Sequence, residues 1–390
     1  MPSLFTVDTS KPVLVTGASG YVAGVLIQQL LEYGVTVHAT VRDATNREKV
    51  AYLQTLADQS PGRIQFFSAD LTQPGSFGDA MKGCSIVFHT ASPFTFNNIT
   101  DPIQQLMEPA VNGTKNVLEQ VAKTPSVDKV IVTSSIAAMV ADASETSRDH
   151  PLTEDVWNRT ASLTYQPYAL SKTMAELAAW TMAGSQTQYK LITINPGFVM
   201  GPGVKYHADS ASYQTFLRLT ESTARSAGVP NIGTTVVDVR DVAYAHIAAA
   251  YVPTAKGRYL VVGQSCFFSD WGQAVVAGTK NTNGKKVKDD EPTPPSSRPP
   301  LPIAHKKSII PKWLLWCLAP YVGLGRSFVW KNIDYTVHVD TTKSKTELGI
   351  AYRPMEETFQ DMFQQLVDLG IIQMASSTNK SPTDHSTKKD

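Results

Sequence analysis

From Pro12 onward, short runs of consecutive apolar residues alternate with longer stretches whose apolar positions recur every three or four residues, and the alternation continues to about residue 263. The runs VLVT at 13–16, VTVHATV at 35–41, RIQFFSAD at 63–70, SIVFHTA at 85–91, KVIVTSS at 129–135, KLITINP at 190–196 and GRYLVVG at 257–263 read as strands. Their Val and Ile residues follow one another instead of alternating with polar ones, which suits strands buried on both faces of a parallel sheet. After the first run, Val22, Leu26 and Leu30, with Ile27 and Leu31 beside them, place one apolar face on a helix that stops near Gly34. Strands separated by helices predict an α/β fold with a doubly wound parallel sheet.

The character changes after about residue 264. Six prolines fall within 292–302, a loop or polyproline segment, and three of the six tryptophans lie within 303–330. Residues 354–372 predict one amphipathic helix with Met355, Phe359, Met362, Phe363 and Leu366 on its apolar face. The division expected is a dinucleotide-binding part over 8–198 and 233–264, a smaller, mainly C-terminal substrate-binding part over 199–232 and 265–373, and a disordered tail over 374–390. The Trp313–Trp330 segment reads as a substrate lid, a membrane-surface contact or packing within the smaller part.

Composition narrows the function. With 42% hydrophobic residues the 390-residue chain has enough apolar content for a packed core. The 35 basic and 34 acidic residues nearly cancel, so no overall field attracts nucleic acid or an anionic membrane, and an anion must be held locally. Cys84, Cys266 and Cys317 have no metal-binding spacing, and the eight histidines form no HExxH pair; His89 reads as a packed strand residue, and no metal is expected. The absence of a signal-like start predicts a cytoplasmic protein, and the apolar 313–325 stretch is too short to span a bilayer.

Between the first strand and helix stands TGASGYVAG. Gly17 permits a tight turn, Gly20 lets backbone N–H groups approach a pyrophosphate, and Ala23 permits close packing of helix on sheet. The pyrophosphate would sit at the helix N-terminus, where unpaired donors favour negative charge. This is the Rossmann arrangement. The second strand ends without an acid to bind ribose hydroxyls; Arg42 follows it at once and Lys49 opens the next helical stretch, which points to a 2′-phosphate and so to NADPH/NADP+, with Asp43 as the competing ribose partner.

Tyr168 and Lys172 in YALSK are four apart and share a helix face. An ammonium about 4 Å from the phenol is worth roughly 4 kcal/mol at an effective dielectric near 20, enough to lower its pKa by about three units. Tyr168 would then protonate the alkoxide formed when hydride reaches a carbonyl, with Ser135, at the end of KVIVTSS, hydrogen-bonding the same oxygen.

The chain resembles the extended short-chain dehydrogenase/reductase family, in the branch of dihydroflavonol reductases, cinnamoyl-CoA reductases and microbial NADPH-dependent aldehyde or ketone reductases. The resemblance spans about residues 10–265 and rests on TGASGYVAG, ATVRD, FHTASP, VNGTKNVL, VTSS, YALSKTMAELAAW, INPGFVMGP and DVRDVAYAH. It implies that Asp70 and Leu71 flank the adenine, that Thr90, Ala91 and Ser92 line the cofactor, and that Pro196 and Gly197 lie by the nicotinamide. It also implies cofactor contacts from Ser19, Tyr21, Val22, Ser134 and Val199, and a role for Asn112 in ordering a water near Lys172. YQPYALSK stands where cinnamoyl-CoA reductases have NWYCYGK, and Val140 replaces a polar residue usual in dihydroflavonol reductases. The expected activity is therefore NADPH-dependent reduction of a medium-sized, apolar aldehyde or ketone by a monomer or homodimer. Phe94, Phe96, Val140, Phe198, Met200, Tyr206 and the 313–316 segment are the expected lining. The alternatives are an epimerase, dehydratase or hydroxysteroid-type dehydrogenase, and a non-catalytic cofactor sensor.

Overall fold

The computed structural model describes residues 4–92, 99–220, 229–277 and 309–373. Phe94 and Phe96, the proline-rich 292–302 stretch and the 374–390 tail lie outside the described residues. The elements run β1 (Val13–Thr16), α1 (Tyr21–Glu32), β2 (Thr36–Val41), α2 (Arg47–Asp58), β3 (Arg63–Ser68), α3 (Gly78–Met81), β4 (Ile86–His89), α4 (Glu108–Ala122), β5 (Lys129–Thr133), α5 (Pro167–Gly184) and β6 (Lys190–Pro196). There follow β7 (Phe198–Met200), α6 (Ala211–Arg218), β8 (Gly233–Asp238), α7 (Val239–Tyr251), β9 (Gly257–Val261), β10 (Gln264–Phe267) and α8 (Phe268–Ala277). The last are α9 (Lys312–Leu318), α10 (Arg326–Asn332), α11 (Thr342–Glu347) and α12 (Met355–Asp368).

Seven strands form one parallel sheet in the order β3-β2-β1-β4-β5-β6-β9. All seven are the apolar runs of the sequence, and β1 and β5 bury their centres completely because helices cover both faces. One face carries α1, α2 and α7, whose Leu26, Leu30, Leu53, Val242 and Ile247 join one core; the other carries α4 and α5 through Val117, Leu118, Val121 and Ala179. Strand order reverses between β1 and β4, so a crevice opens beyond their C-terminal ends, where ligands bind in sheets of this kind.

A second, three-stranded sheet has the order β10-β8-β7. The division at residue 233 is corrected here: β8 belongs to this second sheet, pairing parallel to β7 and antiparallel to β10. Successive side chains on a strand face opposite ways, so Val237 enters the first core while Val236 enters the second, beside Trp271 and Phe359. The residues expected on the apolar face of α12 are all buried in that second core. The helix stops at Asp368 instead of running to 372 because Gly370, at φ +70°, turns the chain and Ile371 N–H donates to Leu366 O at 2.9 Å.

Candidate active site

The turn after β1 is built on Gly17, whose φ is +66° and whose Cβ, if present, would stand 2.9 Å from the Ala91 Cβ beyond β4. Both the conformation and the space demand glycine. Gly20 N–H donates to Gly17 O at 2.9 Å, and Gly20 then caps α1 with no side-chain oxygen on the first helical amides. Those amides, beside exposed Ser19 and half-buried Val22, are left without a side-chain cap at a helix start, where the backbone dipole favours an anion. Tyr21 contributes backbone only: its hydroxyl donates to Gly201 O at 2.6 Å and its ring stands edge-on to Tyr213, tying the turn to the later chain.

Arg42, just after β2, and Lys49, in the first turn of α2, are exposed. Asp43 is engaged by its own turn, accepting from Thr45 N–H at 2.9 Å and from the Thr45 hydroxyl at 2.6 Å, and these bonds hold its carboxyl below the usual range. Asp70 is likewise fixed by Thr72 N–H and hydroxyl, both at 2.7 Å, and stays ionised more readily for it, with a smaller contribution from Arg42. The Leu71 carbonyl accepts from Asn116 Nδ2 at 2.6 Å, which fixes the loop after β3 against α4.

Helix α5 starts at Pro167 after Gln166, a non-glycine residue in the left-handed region at φ 56°. Such a conformation costs on the order of 1–3 kcal/mol and places Tyr168 in the first turn. A hydrogen bond joins Tyr168 to Ser135, which follows β5 and whose Oγ accepts from Ala137 N–H at 3.1 Å. One turn further on, Lys172 is buried; its Nζ stands 5.9 Å from the Tyr168 ring centroid and donates to Ser92 Oγ at 3.0 Å. Burial lowers the Lys172 pKa to about 8, while the Glu176 carboxylate works the other way. Burial also lifts the Tyr168 phenol well above its ordinary value, opposed by the bond with Ser135. The expected lowering of the phenol by lysine is thus reversed in the free protein, because desolvation outweighs an ammonium that is turned to Ser92.

Behind these residues lies a polar network that the sequence reading overlooked. The fully buried Glu176 carboxylate accepts from Arg258 Nε at 2.6 Å, Asn195 Nδ2 at 2.7 Å, Thr193 Oγ1 at 3.1 Å, Trp180 Nε1 at 3.2 Å and Ser134 Oγ. Asn195 Nδ2 also donates to Ser135 O at 3.1 Å, and Arg258 stacks over Trp157 and donates to the carbonyls of Glu154 and Val156. The network and the neighbouring helix α4 also locate Ser134 and Asn112. Ser134 is buried and its hydroxyl is spent on Glu176, so its side chain serves the network while the residue lines the cavity beside Lys172. Asn112 is exposed on α4, about 200° round the helix from Ala110 and Thr114, which line a cavity of about 20 Å³ beside Lys172, Ser92 and His89.

Thr90 and Ala91 are held to β1, Thr90 Oγ1 donating to Thr16 O and Ala91 N–H to Thr16 Oγ1. His89 is buried, its Nδ1 2.9 Å from Thr16 Oγ1, and burial drops its pKa to about 3. At the end of β6, Pro196 and Gly197 are buried, and a Cβ on Gly197 would fall 2.5 Å from Thr235 Oγ1. Val199 on β7 is half-buried against the first core. The expected lining divides: Phe198 and Tyr206 are half-buried, Val140 packs with Leu152 and Leu260, Met200 is sealed in the second core, and Trp313 and Trp316 are exposed. Arg240 bridges Asp238 and Asp361 of α12, and Asp241 pairs with Arg353, so both serve as ties between the two cores.

A glycine-turn helix start at a doubly wound sheet's switch point, with serine, tyrosine and lysine converging beside it, defines a Rossmann-fold protein of the dehydrogenase/reductase class. Residues 13–263 match the model of the NAD dependent epimerase/dehydratase family, and the chain belongs to this family of extended short-chain dehydrogenases/reductases. It is 38% identical over 261 residues to cinnamoyl-CoA reductase CAD2 of Medicago truncatula, covering 66% of this chain and 78% of that one. It is 31% identical to tetraketide alpha-pyrone reductase 1 of Arabidopsis thaliana over 92% of this chain and 96% of the other. Among solved structures, yeast methylglyoxal/isovaleraldehyde reductase Gre2 complexed with NADPH superposes with a TM-score of 0.70 at 27% identity, covering 93% of this chain and all of that one.

Proposed function

We propose that the protein reduces an aldehyde or ketone to an alcohol with NADPH as hydride source. The observation that carries this reading is the Tyr168–Ser135 hydrogen bond at the end of β5, with the Lys172 ammonium one helical turn behind. When bound, NADPH supplies the hydride; the pyrophosphate is held by the Gly17–Val22 helix start and the 2′-phosphate by Arg42 and Lys49. The engaged state of Asp43 supports the phosphate over a bare ribose. Ser135 and Tyr168 hydrogen-bond the substrate carbonyl, and Tyr168 delivers its proton to the developing alkoxide. A phenol kept protonated by burial holds the proton that the reduction consumes. Lys172 stabilises the tyrosinate left behind.

The substrate proposed is medium-sized and largely apolar, bound over Phe198, Tyr206 and Val140 by burial worth about 25 cal/mol per Å², with its carbonyl alone fixed by polar groups. NADPH consumption with a graded series of carbonyl compounds tests this. Efficiency should rise from small aliphatic to aryl or longer-chain carbonyls; preference for a nucleotide sugar or an acyl-CoA thioester would overturn the substrate class.

A further inference from the structure

Helices α9 and α10, joined by a 3-10 turn over Ala319–Val322, pair by burying Leu315, Ala319, Val329 and Ile333. Their outer side is not polar. Trp313 is 69% exposed, Tyr321 87%, Val322 55% and Trp330 64%, with Trp316 and Leu318 about two-fifths exposed. Single exposed apolar residues are ordinary, but six within an 18-residue span form a surface that water does not favour.

The charges on the helix pair itself are all basic, and the exposed Asp334 that follows it accepts from Asn231 Nδ2 at 2.8 Å. Residues 309–333 contain no Asp or Glu. The Lys312 ammonium lies 5.0 Å from the Trp330 ring centroid and 4.6 Å from that of Tyr335, and the Arg326 guanidinium lies 4.5 Å from that of Trp316. Lys331 is drawn inward to the buried Asp142 carboxylate at 3.2 Å, while Arg326 stays exposed. Tryptophan and tyrosine settle at the headgroup level of a bilayer, and basic residues beside them are drawn to anionic lipid. Among the described residues no helix is long and apolar enough to cross a membrane.

We propose that the outer side of α9–α10 is a docking surface for an anionic phospholipid membrane, with the aromatic rings at the headgroup level and Arg326 against lipid phosphates, while Lys312, which donates to Ile333 O at 3.1 Å, braces the Trp330 ring. The helix pair is tied to the body through Asp142, which accepts from Asn332 Nδ2 at 2.7 Å and from the Tyr165 hydroxyl at 2.6 Å. The docking does not depend on the reaction proposed above.

Flotation of the full-length protein with vesicles of equal parts phosphatidylcholine and phosphatidylserine, against vesicles of phosphatidylcholine alone, tests it. Binding is expected to the anionic vesicles and to weaken as salt is raised. The double variant Tyr321→Ser/Trp330→Ser should lower partitioning about 10-fold or more while NADPH affinity and melting temperature stay at parental values. Arg326→Glu, which keeps every ring, should weaken binding to the anionic vesicles and guards against a misfolded double variant. The proposal is overturned by no binding to anionic vesicles, by equal binding to both vesicle types, or by parental binding in both variants. It is also overturned by a concentration-dependent dimer that the double variant dissolves, which would assign the surface to a second copy, or by rings shielded from an aqueous quencher without lipid.

Discussion

Glu176 and Arg258 lie inside the molecule behind β5 and β6, whereas Trp313, Tyr321 and Trp330 lie outside it on and between α9 and α10. Each region reverses the usual partition of charged and aromatic side chains. The buried charges are tolerated because the chain closes the network around them: five side chains donate to the Glu176 carboxylate, and Arg258 spends its remaining donors on carbonyls and a tryptophan face. Of the exposed rings, Trp330 and Trp316 have a cation laid over them, and none has a comparable enclosure among the described residues. A polar interior completed by the chain itself therefore supports chemistry and stability, and an apolar exterior looks outward for its completion.

Substitutions should separate the two regions by size of effect. Tyr168→Phe, at the edge of the inner network, should cut turnover by about 100-fold or more while NADPH binding persists, measured by steady-state kinetics and titration. Substantial residual turnover would move the proton donor elsewhere. Next in size, Glu176→Ala leaves the Arg258 guanidinium buried and unpaired and should destabilise the fold by about 3–5 kcal/mol in denaturant titration. A near-neutral result would mean that water or repacking satisfies Arg258, and the contrast drawn above would fail.

Arg42→Ala should weaken NADPH about 10-fold and leave NADH nearly unchanged, and equal losses would remove the 2′-phosphate assignment. A subtler effect concerns pH. With Lys172 held to about 8 in the folded state against 10.5 in the open chain, the unfolded state binds more protons between those values. The contribution of this group to stability rises with pH across that window, whereas activity that needs the ammonium falls above about pH 8. Because Glu176 raises the Lys172 pKa, Glu176→Gln should carry the alkaline limb of kcat/KM to lower pH. The smallest change is expected outside: Tyr321→Ser should alter folding stability by no more than about 0.5 kcal/mol.

Much of this architecture could be read along the chain. All seven strands of the main sheet, the apolar face of α1 and the five buried apolar residues of α12 are local patterns of period and propensity, and Gly17 is marked by its place between strand and helix. Lys172 and Tyr168 share a face for the same reason, and Glu176, four residues beyond Lys172, was within reach of that spacing. What hid Glu176 is that a lone glutamate reads as solvated surface unless its partner is known, and Arg258 lies 82 residues away.

Periodicity and turn chemistry act between neighbours, so the sequence by itself determined the strands, the covering helices, the glycine turn and the spacing of Tyr168 and Lys172. The tertiary structure decided the rest. It turned Ser134 inward to a carboxylate and Asn112 outward, divided β8 between two cores, and left the tryptophans of α9 and α10 on the surface. Each of those outcomes depends on which distant side chains arrive within hydrogen-bonding or packing distance, and on how far burial then removes charge from water, which no local pattern encodes.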